Sequence, residues 1–149
     1  MAGDKSMFMG QYEHMVDDKG RLALPARFRD RLAQGLVVTR GLERCLLVYT
    51  AADWSVLAER IATLPLTQSD ARAFTRFLFS GAMDAQLDRQ GRVVIPGYLR
   101  EYAGIREDVV IAGANTRLEI WDREAWNQAV GKVEDEGVLI AEHLASLGI

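Results

Sequence analysis

Two turns in this chain carry the residues whose types and spacing are best suited to binding chemistry. An aspartate stands four residues before an arginine, and a glycine directly precedes that arginine, at 17–21 and again at 88–92. A tight turn closed by glycine brings the carboxylate close to the guanidinium, which is then held as a rigid fork of donors. Such a fork fits the paired acceptors of a phosphate group or of a guanine edge.

The aspartates and glycines are predicted to organise the turns. Asp17 and Asp88 can accept backbone N–H groups within the turn and pair with the arginine that follows. A direct contact between these carboxylates and a ligand is the alternative. Gly20 and Gly91 supply backbone angles that a tight turn demands.

The basic residues of the turns are the candidate ligand contacts. Arg21 and Arg92 are predicted to read base edges or bind phosphates, since a carboxylate orients each of them. Lys19 and Arg89 are either phosphate contacts or solvated turn residues.

The turns belong to a longer repeated frame, D-x-x-G-R-x-x-x-P-x-x-x-R, which recurs at an offset of 71 residues. Weaker identities continue at an offset of 72, from Val37 and Val109 to Trp54 and Trp126. This fidelity indicates one supersecondary unit used twice. The last arginines of the frame, Arg29 and Arg100, either pair with nearby acids or contact the ligand. A site built from the unit exists twice, which favours a symmetric or repetitive partner.

The elements that would position the turns are short strands and helices. A strand is expected to enter the first turn and a second to leave it, completing a hairpin-like element. Pro25 and Pro96 are suited to the first position of a short helix, on which Phe28 and Leu32, and on its partner Tyr98 and Tyr102, stand at a four-residue spacing. The predicted strands are 8–16, 21–24, 36–40 and 45–49 in the first half and 92–95, 108–112 and 117–121 in the second.

Three longer helices are expected outside a small β core, which makes the fold class α+β. Thr50 and Asp53 form a possible capping box for the first, and the second begins at about Thr67. The third opens at Asp122, with its apolar residues up to Val133 facing inward, and a helical pattern continues to the end of the chain.

Composition is that of an ordinary soluble globular protein, with 149 residues, 49% hydrophobic and 26% charged. No apolar run is long enough for a membrane span or a signal peptide, so a cytoplasmic location is expected. The net charge is −3, yet residues 19–31 are basic and residues 123–149 acidic. The basic side chains are 15 Arg and 3 Lys, which suits bidentate recognition of phosphate or guanine.

Catalytic chemistry finds little support in the sequence. The two histidines, His14 and His143, have no identifiable partner, and Cys45 lies in an apolar run that predicts a buried side chain. Walker-type loops, GxSxG, HExxH and CxxC motifs are all absent from the sequence. We therefore expect no enzyme, metal, cofactor or small-molecule substrate.

The duplicated frame resembles the SpoVT/AbrB-type swapped-hairpin domain of bacterial DNA-binding regulators, and two copies in one chain resemble the MraZ family. The resemblance spans about residues 7–147. It implies two pseudo-symmetric AbrB-like swapped-hairpin units that form one small β-barrel core with peripheral helices. The units would be residues 7–81 and 82–149, after a flexible N-terminal arm at 1–6.

The resemblance also implies a function. Members of the family are cytoplasmic, nucleoid-associated regulators of the division and cell-wall gene cluster, and they form ring-shaped homo-oligomers. Their D-x-x-x-R motifs, implicated in DNA binding, correspond to Asp17 with Arg21 and Asp88 with Arg92.

The main hypothesis is a sequence-specific regulator, acting as a repressor, that binds double-stranded DNA at direct-repeat promoter boxes. The alternative is a swapped-hairpin scaffold that binds another protein, as an antitoxin-like module would, and an enzyme ranks third. Residues 74–79 and 139–147 are candidate subunit interfaces, or else they cap the chain's own barrel.

Overall fold

The computed structural model describes residues 7–148, and the predicted flexible arm at 1–6 lies outside them. Five α-helices and eight β-strands form within this part of the chain, which confirms the α+β class. The strands are β1 (Gln11–Met15), β2 (Arg21–Ala23), β3 (Leu36–Arg40), β4 (Leu46–Thr50), β5 (Met83–Ala85), β6 (Arg92–Val94), β7 (Asp108–Ala114) and β8 (Arg117–Asp122). The helices are α1 (Ala26–Arg29), α2 (Ala51–Ala62), α3 (Ser69–Ser80), α4 (Gly97–Tyr102) and α5 (Arg123–Ala145).

The two repeats exchange strands. β1 of the first repeat pairs with β7 of the second, and β5 of the second pairs with β3 of the first. β2 and β6, the strands that leave the two turns, pair with each other. The hairpin expected within each repeat is reduced in the first to a single bridge between Val16 and Leu22. The strand that enters the first turn, β1, forms its ladder with β7 instead.

All the ladders are antiparallel, and they form two sheets. The larger has the order β1-β7-β8-β4-β3-β5, and the smaller contains β2 and β6. β1 and β5 are the opposite edges of the larger sheet and no ladder joins them within residues 7–148. The closed barrel is therefore not confirmed.

Each short helix follows its proline as predicted, although the proline is the N-cap and not the first helical residue. Phe28 and Leu32 are buried as expected. In the second repeat the buried pair is Leu99 and Ala103, while Tyr102 packs against the core partly buried and Tyr98 is exposed. Leu99 and Ala103 lie 71 positions after Phe28 and Leu32, so the repeat offset specifies the face better than aromatic spacing does.

One hydrophobic cluster joins the two sheets and the short helices. Its members come from β2, β6, α1 and α4 as well as from the large sheet. Leu22 and Val93, the central residues of the small sheet, are 0% and 3% exposed. The two-stranded sheet is therefore anchored by its inner face, and its outer face is turned away from the core.

The longer helices differ in how they pack. Thr50 caps α2 by accepting from Asp53 N, which is one half of the predicted capping box, while Asp53 Oδ2 accepts from Arg31. α3 packs on its own chain through Phe77 against Tyr102 and Phe79 against Trp54. Val133 in α5, predicted to face inward, is instead 54% exposed. Within residues 7–148 no helix is long and apolar enough to cross a membrane.

Candidate nucleic-acid interface

The first turn is organised by one carboxylate. Asp17 Oδ1 accepts the backbone N–H groups of Lys19 and Arg21, both at 2.9 Å. Asp17 Oδ2 accepts the side-chain Nε–H of Arg21 at 2.6 Å. Gly20 adopts a positive φ of 80° at the turn, and its N–H donates to Asp17 O. The carboxylate thus fixes both the turn and the guanidinium that leaves it.

The second turn reproduces this arrangement. Asp88 Oδ1 accepts from the N–H groups of Gln90 and Arg92 at 2.9 and 2.8 Å, and Oδ2 accepts from Arg92 Nε at 2.8 Å. Gly91 has a φ of 74°. The side chains of Arg21 and Arg92 remain 34% and 31% exposed. Within residues 7–148 each guanidinium hydrogen-bonds only through Nε, which leaves both terminal nitrogens available to a partner.

The two turns do differ in one respect. Lys19 corresponds by its place in the turn to Gln90, and Arg89 corresponds to Asp18. Both basic residues are exposed, but the first turn presents its positive charge one position later than the second. The predicted pair of phosphate contacts is therefore not symmetric.

A further pair of arginines, left open by the sequence, joins each turn to the other repeat. Arg29 Nε donates to Leu24 O at 3.1 Å, and Arg100 Nε donates to Ile95 O at 2.9 Å. Arg29 lies so close over Gly91 that a Cβ there would be 2.1 Å from its Nε. Within residues 7–148 neither arginine forms an ion pair with an acid, and both Nε groups bond to backbone carbonyls instead. Their recurrence at the same offset of 71 residues was the available signal.

The backbone also ties the turns together across the repeats. Leu24 N donates to Gly91 O at 3.0 Å, and Ile95 N donates to Gly20 O at 2.7 Å. Each turn glycine is therefore hydrogen-bonded to the strand that leaves the other turn. The two arginine turns form one rigid unit.

We call β2 and β6 together the arginine ribbon. Its register pairs Arg21 with Val94 and Ala23 with Arg92. Since paired residues in an antiparallel ladder share a face and alternate residues change face, these four side chains lie on one side. The opposite side carries the buried Leu22 and Val93. Both arginines consequently emerge on the outer face, as diagonal neighbours about 7–8 Å apart.

Charge is concentrated around the ribbon. Residues 17–29 and 88–100 hold seven basic and three acidic side chains, a net charge of +4 in a chain whose total is −3. The remainder of the chain therefore carries −7. Association of such a segregated surface with a polyanion is favoured at this face and opposed elsewhere.

The aspartates are stabilised in their charged form. The backbone N–H of Arg21 holds the pKa of Asp17 below its usual value, and the Arg21 side chain acts in the same direction. The N–H of Arg92, followed by its side chain, has the same effect on the pKa of Asp88. Both carboxylates are thus ionised at neutral pH and keep the guanidinium groups in place.

The other reactive side chains lie away from the ribbon. Cys45 is 2% exposed, and burial raises the pKa of its thiol to about 12, so it is an unreactive hydrophobe. Within residues 7–148 no group of three or more His, Cys, Asp or Glu side chains is placed to hold a metal ion.

Comparison with known proteins shows the family of this chain. A family model described as "MraZ protein, putative antitoxin-like" matches the chain twice, at residues 7–77 and 78–142. Proteins from Moorella thermoacetica, Caldanaerobacter subterraneus and a Thermoanaerobacter species, each named "Transcriptional regulator MraZ", are 48% identical over 143 residues. Each alignment covers 96% of this chain and 100% of the relative. The chain therefore belongs to the MraZ family.

Proposed function

We propose that this protein is a sequence-specific DNA-binding transcriptional regulator, a repressor of the division and cell-wall gene cluster that includes its own promoter. The observation that carries the proposal is the outer face of the arginine ribbon, where two carboxylate-braced arginines lie side by side in a basic surface. The relatives' names as transcriptional regulators support it. The protein acts in the cytoplasm on the nucleoid, without a cofactor and without catalysing a reaction.

The ribbon enters the major groove in this proposal. That groove is wide enough for a two-stranded β-ribbon, and its guanine edge offers the O6 and N7 acceptors that an arginine fork matches. Arg21 and Arg92 donate to guanine through the terminal nitrogens that Asp17 and Asp88 leave unused. The rigid bracing lowers the entropy lost on binding, since the side chains are already ordered. Lys19 and Arg89 bind phosphates beside the groove.

Several chains act together in this mechanism. One ribbon offers two base-reading arginines, which would hold DNA weakly at physiological salt. A ring-shaped homo-oligomer presents several ribbons to direct-repeat promoter boxes, so that each bound box raises the effective concentration for the next. The distal half of α5 and the residues directly after it support this assembly, because they expose several apolar side chains: Val133, Val138, Leu139, Leu144 and Leu147.

Gel-shift titration with DNA from upstream of the protein's own operon tests the proposal. We expect a specific shift at near-physiological salt that random competitor DNA removes poorly. The contradicting result is the absence of a shift at micromolar protein. That result would favour the alternative, a protein-binding scaffold in keeping with the antitoxin-like description of the family.

Substitutions separate base contacts from phosphate contacts. Arg21→Ala and Arg92→Ala should each weaken specific binding by about 1–3 kcal/mol and relax sequence preference. Lys19→Ala should weaken binding to all sequences alike and reduce the salt dependence. Arg60→Ala, an exposed arginine on α2, is the matched control and should bind normally. Normal binding by a folded Arg21→Ala protein would show that Arg21 does not contact DNA and has a purely structural role.

A further inference from the structure

Val94 is an exposed aliphatic side chain on the outer face of the arginine ribbon. It is 53% exposed, whereas its neighbour Val93 is 3% exposed. The register places it directly opposite Arg21, with Cβ atoms about 4.5–5.5 Å apart. A β-branched side chain on a strand has a restricted χ1, so its two methyl groups stay directed outward. Whatever covers Arg21 must also cover these methyl groups.

The corresponding position in the first repeat is different. Ala23 lies 71 residues before Val94 and pairs with Arg92 in the same way that Val94 pairs with Arg21. Alanine has a single methyl group, and Ala23 is only partly exposed. The outer face is therefore equivalent in its arginines and unequal in its apolar contacts.

We infer that Val94 contacts the 5-methyl group of a thymine adjacent to the base pair that Arg21 reads, and that Ala23 makes no equivalent contact. This inference rests on the proposed function, in which the ribbon lies in the major groove. Among the four bases, thymine alone presents a methyl group in that groove, and apolar side chains recognise it by contact. Of the six residues in the two ribbon strands, Val94 supplies the one large apolar side chain on the outer face.

The consequence is a direction for each chain on its DNA. Two pseudo-equivalent arginine turns would accept a short site in either orientation with similar affinity. A thymine contact on one side only makes the two orientations unequal. The basic residues flanking the turns, Lys19 and Arg89, differ in position as well and act in the same sense. Direct repeats, in which every box points the same way, are the arrangement that such a chain prefers.

The test uses one duplex from upstream of the protein's own gene, prepared either with thymidine or with deoxyuridine throughout. Deoxyuridine removes the 5-methyl group and keeps base pairing. Wild-type protein should bind the deoxyuridine duplex about fourfold more weakly for each thymine methyl group that Val94 covers. Val94→Ala should bind the thymidine duplex about fourfold or more below wild type and should respond little to deoxyuridine. Val94→Thr keeps the branched shape, and we expect an intermediate response.

Deoxyuridine also changes the stiffness of DNA. The decisive quantity is therefore the difference between wild type and Val94→Ala in how much deoxyuridine weakens binding. Ala23→Val supplies the missing methyl groups on the other side and should increase the response to deoxyuridine. Equal methyl dependence in wild type and Val94→Ala would overturn the inference. A change in particle mass of Val94→Ala by light scattering would also overturn it, since Val94 would then pack against another chain. Failure of the proposed function looks different, because wild-type protein would then bind neither duplex specifically.

Discussion

The aspartate of each turn divides its two oxygens between the backbone and the following arginine. Oδ1 receives two backbone N–H groups, and Oδ2 receives the guanidinium Nε, so one carboxylate links turn geometry to side-chain direction. A loss of this charge would release the arginine without removing it. Asp17 and Asp88 are therefore positioning residues for DNA binding in the proposed mechanism, and Arg21 and Arg92 make the contacts.

This link predicts a pH dependence. The pKa values of Asp17 and Asp88 are lowered in the folded protein, so their stabilising contribution is present above the unfolded-state pKa and is lost as pH falls below about 4. We expect no contribution from these groups to changes in stability between pH 7 and pH 5. Below about pH 4, urea unfolding should show wild type losing stability faster than Asp17→Asn/Asp88→Asn. If the two proteins lost stability at the same rate below pH 4, the stabilising role of the Asp17 and Asp88 carboxylates would be contradicted.

The turn glycines give a second prediction at this scale. Gly20, Gly91 and Gly104 all have positive φ, but a Cβ at Gly20 would lie 2.7 Å from Ile95 O, one at Gly91 would meet the Arg29 side chain, and one at Gly104 would meet nothing within 4 Å. Gly104→Ala should therefore cost only the backbone strain, roughly 1–2 kcal/mol. Gly20→Ala should cost clearly more, because a backbone carbonyl cannot move aside.

Gly91→Ala should fall between the other two glycine variants in stability, because the Arg29 side chain can swing away. It should also break the hydrogen bond from Arg29 Nε to Leu24 O, a bond within the first repeat that holds the Arg29 side chain over Gly91. Thermal unfolding measures the order of stability of the three variants. Nuclear magnetic resonance of Arg29 Nε–H reports whether its hydrogen bond to Leu24 O is kept. An equal loss of stability at Gly20 and Gly104 would show that the space around the glycine is not decisive.

At the scale of the elements, the sequence specifies the strands better than their partners. The repeat offset predicts β2, β6 and both short helices, because the same residues stand at the same places in each frame. It cannot distinguish a hairpin within one repeat from exchange between repeats. Asp17 N donates to Arg21 O as it would in a hairpin, whereas the bonds from Leu24 N to Gly91 O and from Ile95 N to Gly20 O show the exchange.

Other elements were missed for different physical reasons. β5 spans only Met83–Ala85, which is too short for an alternating pattern, and it is stabilised by its pairing with β3. The apolar periodicity of α5 indicates a face, but periodicity does not show whether anything covers that face. In the candidate site, the type and spacing of Arg21 and Arg92 could be predicted. Their common outer face depends on the long-range register of β2 and β6.

Strand exchange predicts that one repeat cannot fold as a monomer. A fragment of residues 1–81 keeps the pairing of β3 with β4, but β1 and β2 lose the only strands with which they form ladders in the described part of the chain. We expect this fragment to be unfolded or self-associated by circular dichroism and sedimentation. Adding residues 82–149 should restore the native spectrum. A folded, monomeric fragment would contradict the prediction.

At the scale of the whole molecule, the distal half of α5 carries apolar side chains that residues 7–148 leave uncovered. Phe77 and Phe79 on α3, the other candidate interface, already pack on aromatic side chains of the same chain. On α5, by contrast, Val138 and Leu139 are 76% and 52% exposed. Apolar surface of this kind on a helix is typical of a contact between subunits.

We therefore expect Val138→Asp/Leu139→Asp to reduce the particle mass measured by light scattering, because a buried charge without a partner opposes association. Binding to a single promoter box should change little, since the arginine ribbon is untouched. Binding to several boxes should weaken by about 100-fold or more as effective concentration is lost. Val56→Asp, at a half-exposed valine on α2, is the matched control and should keep both the mass and the affinity. A monomer of 16.6 kDa that still binds several boxes tightly would exclude avidity as the source of affinity.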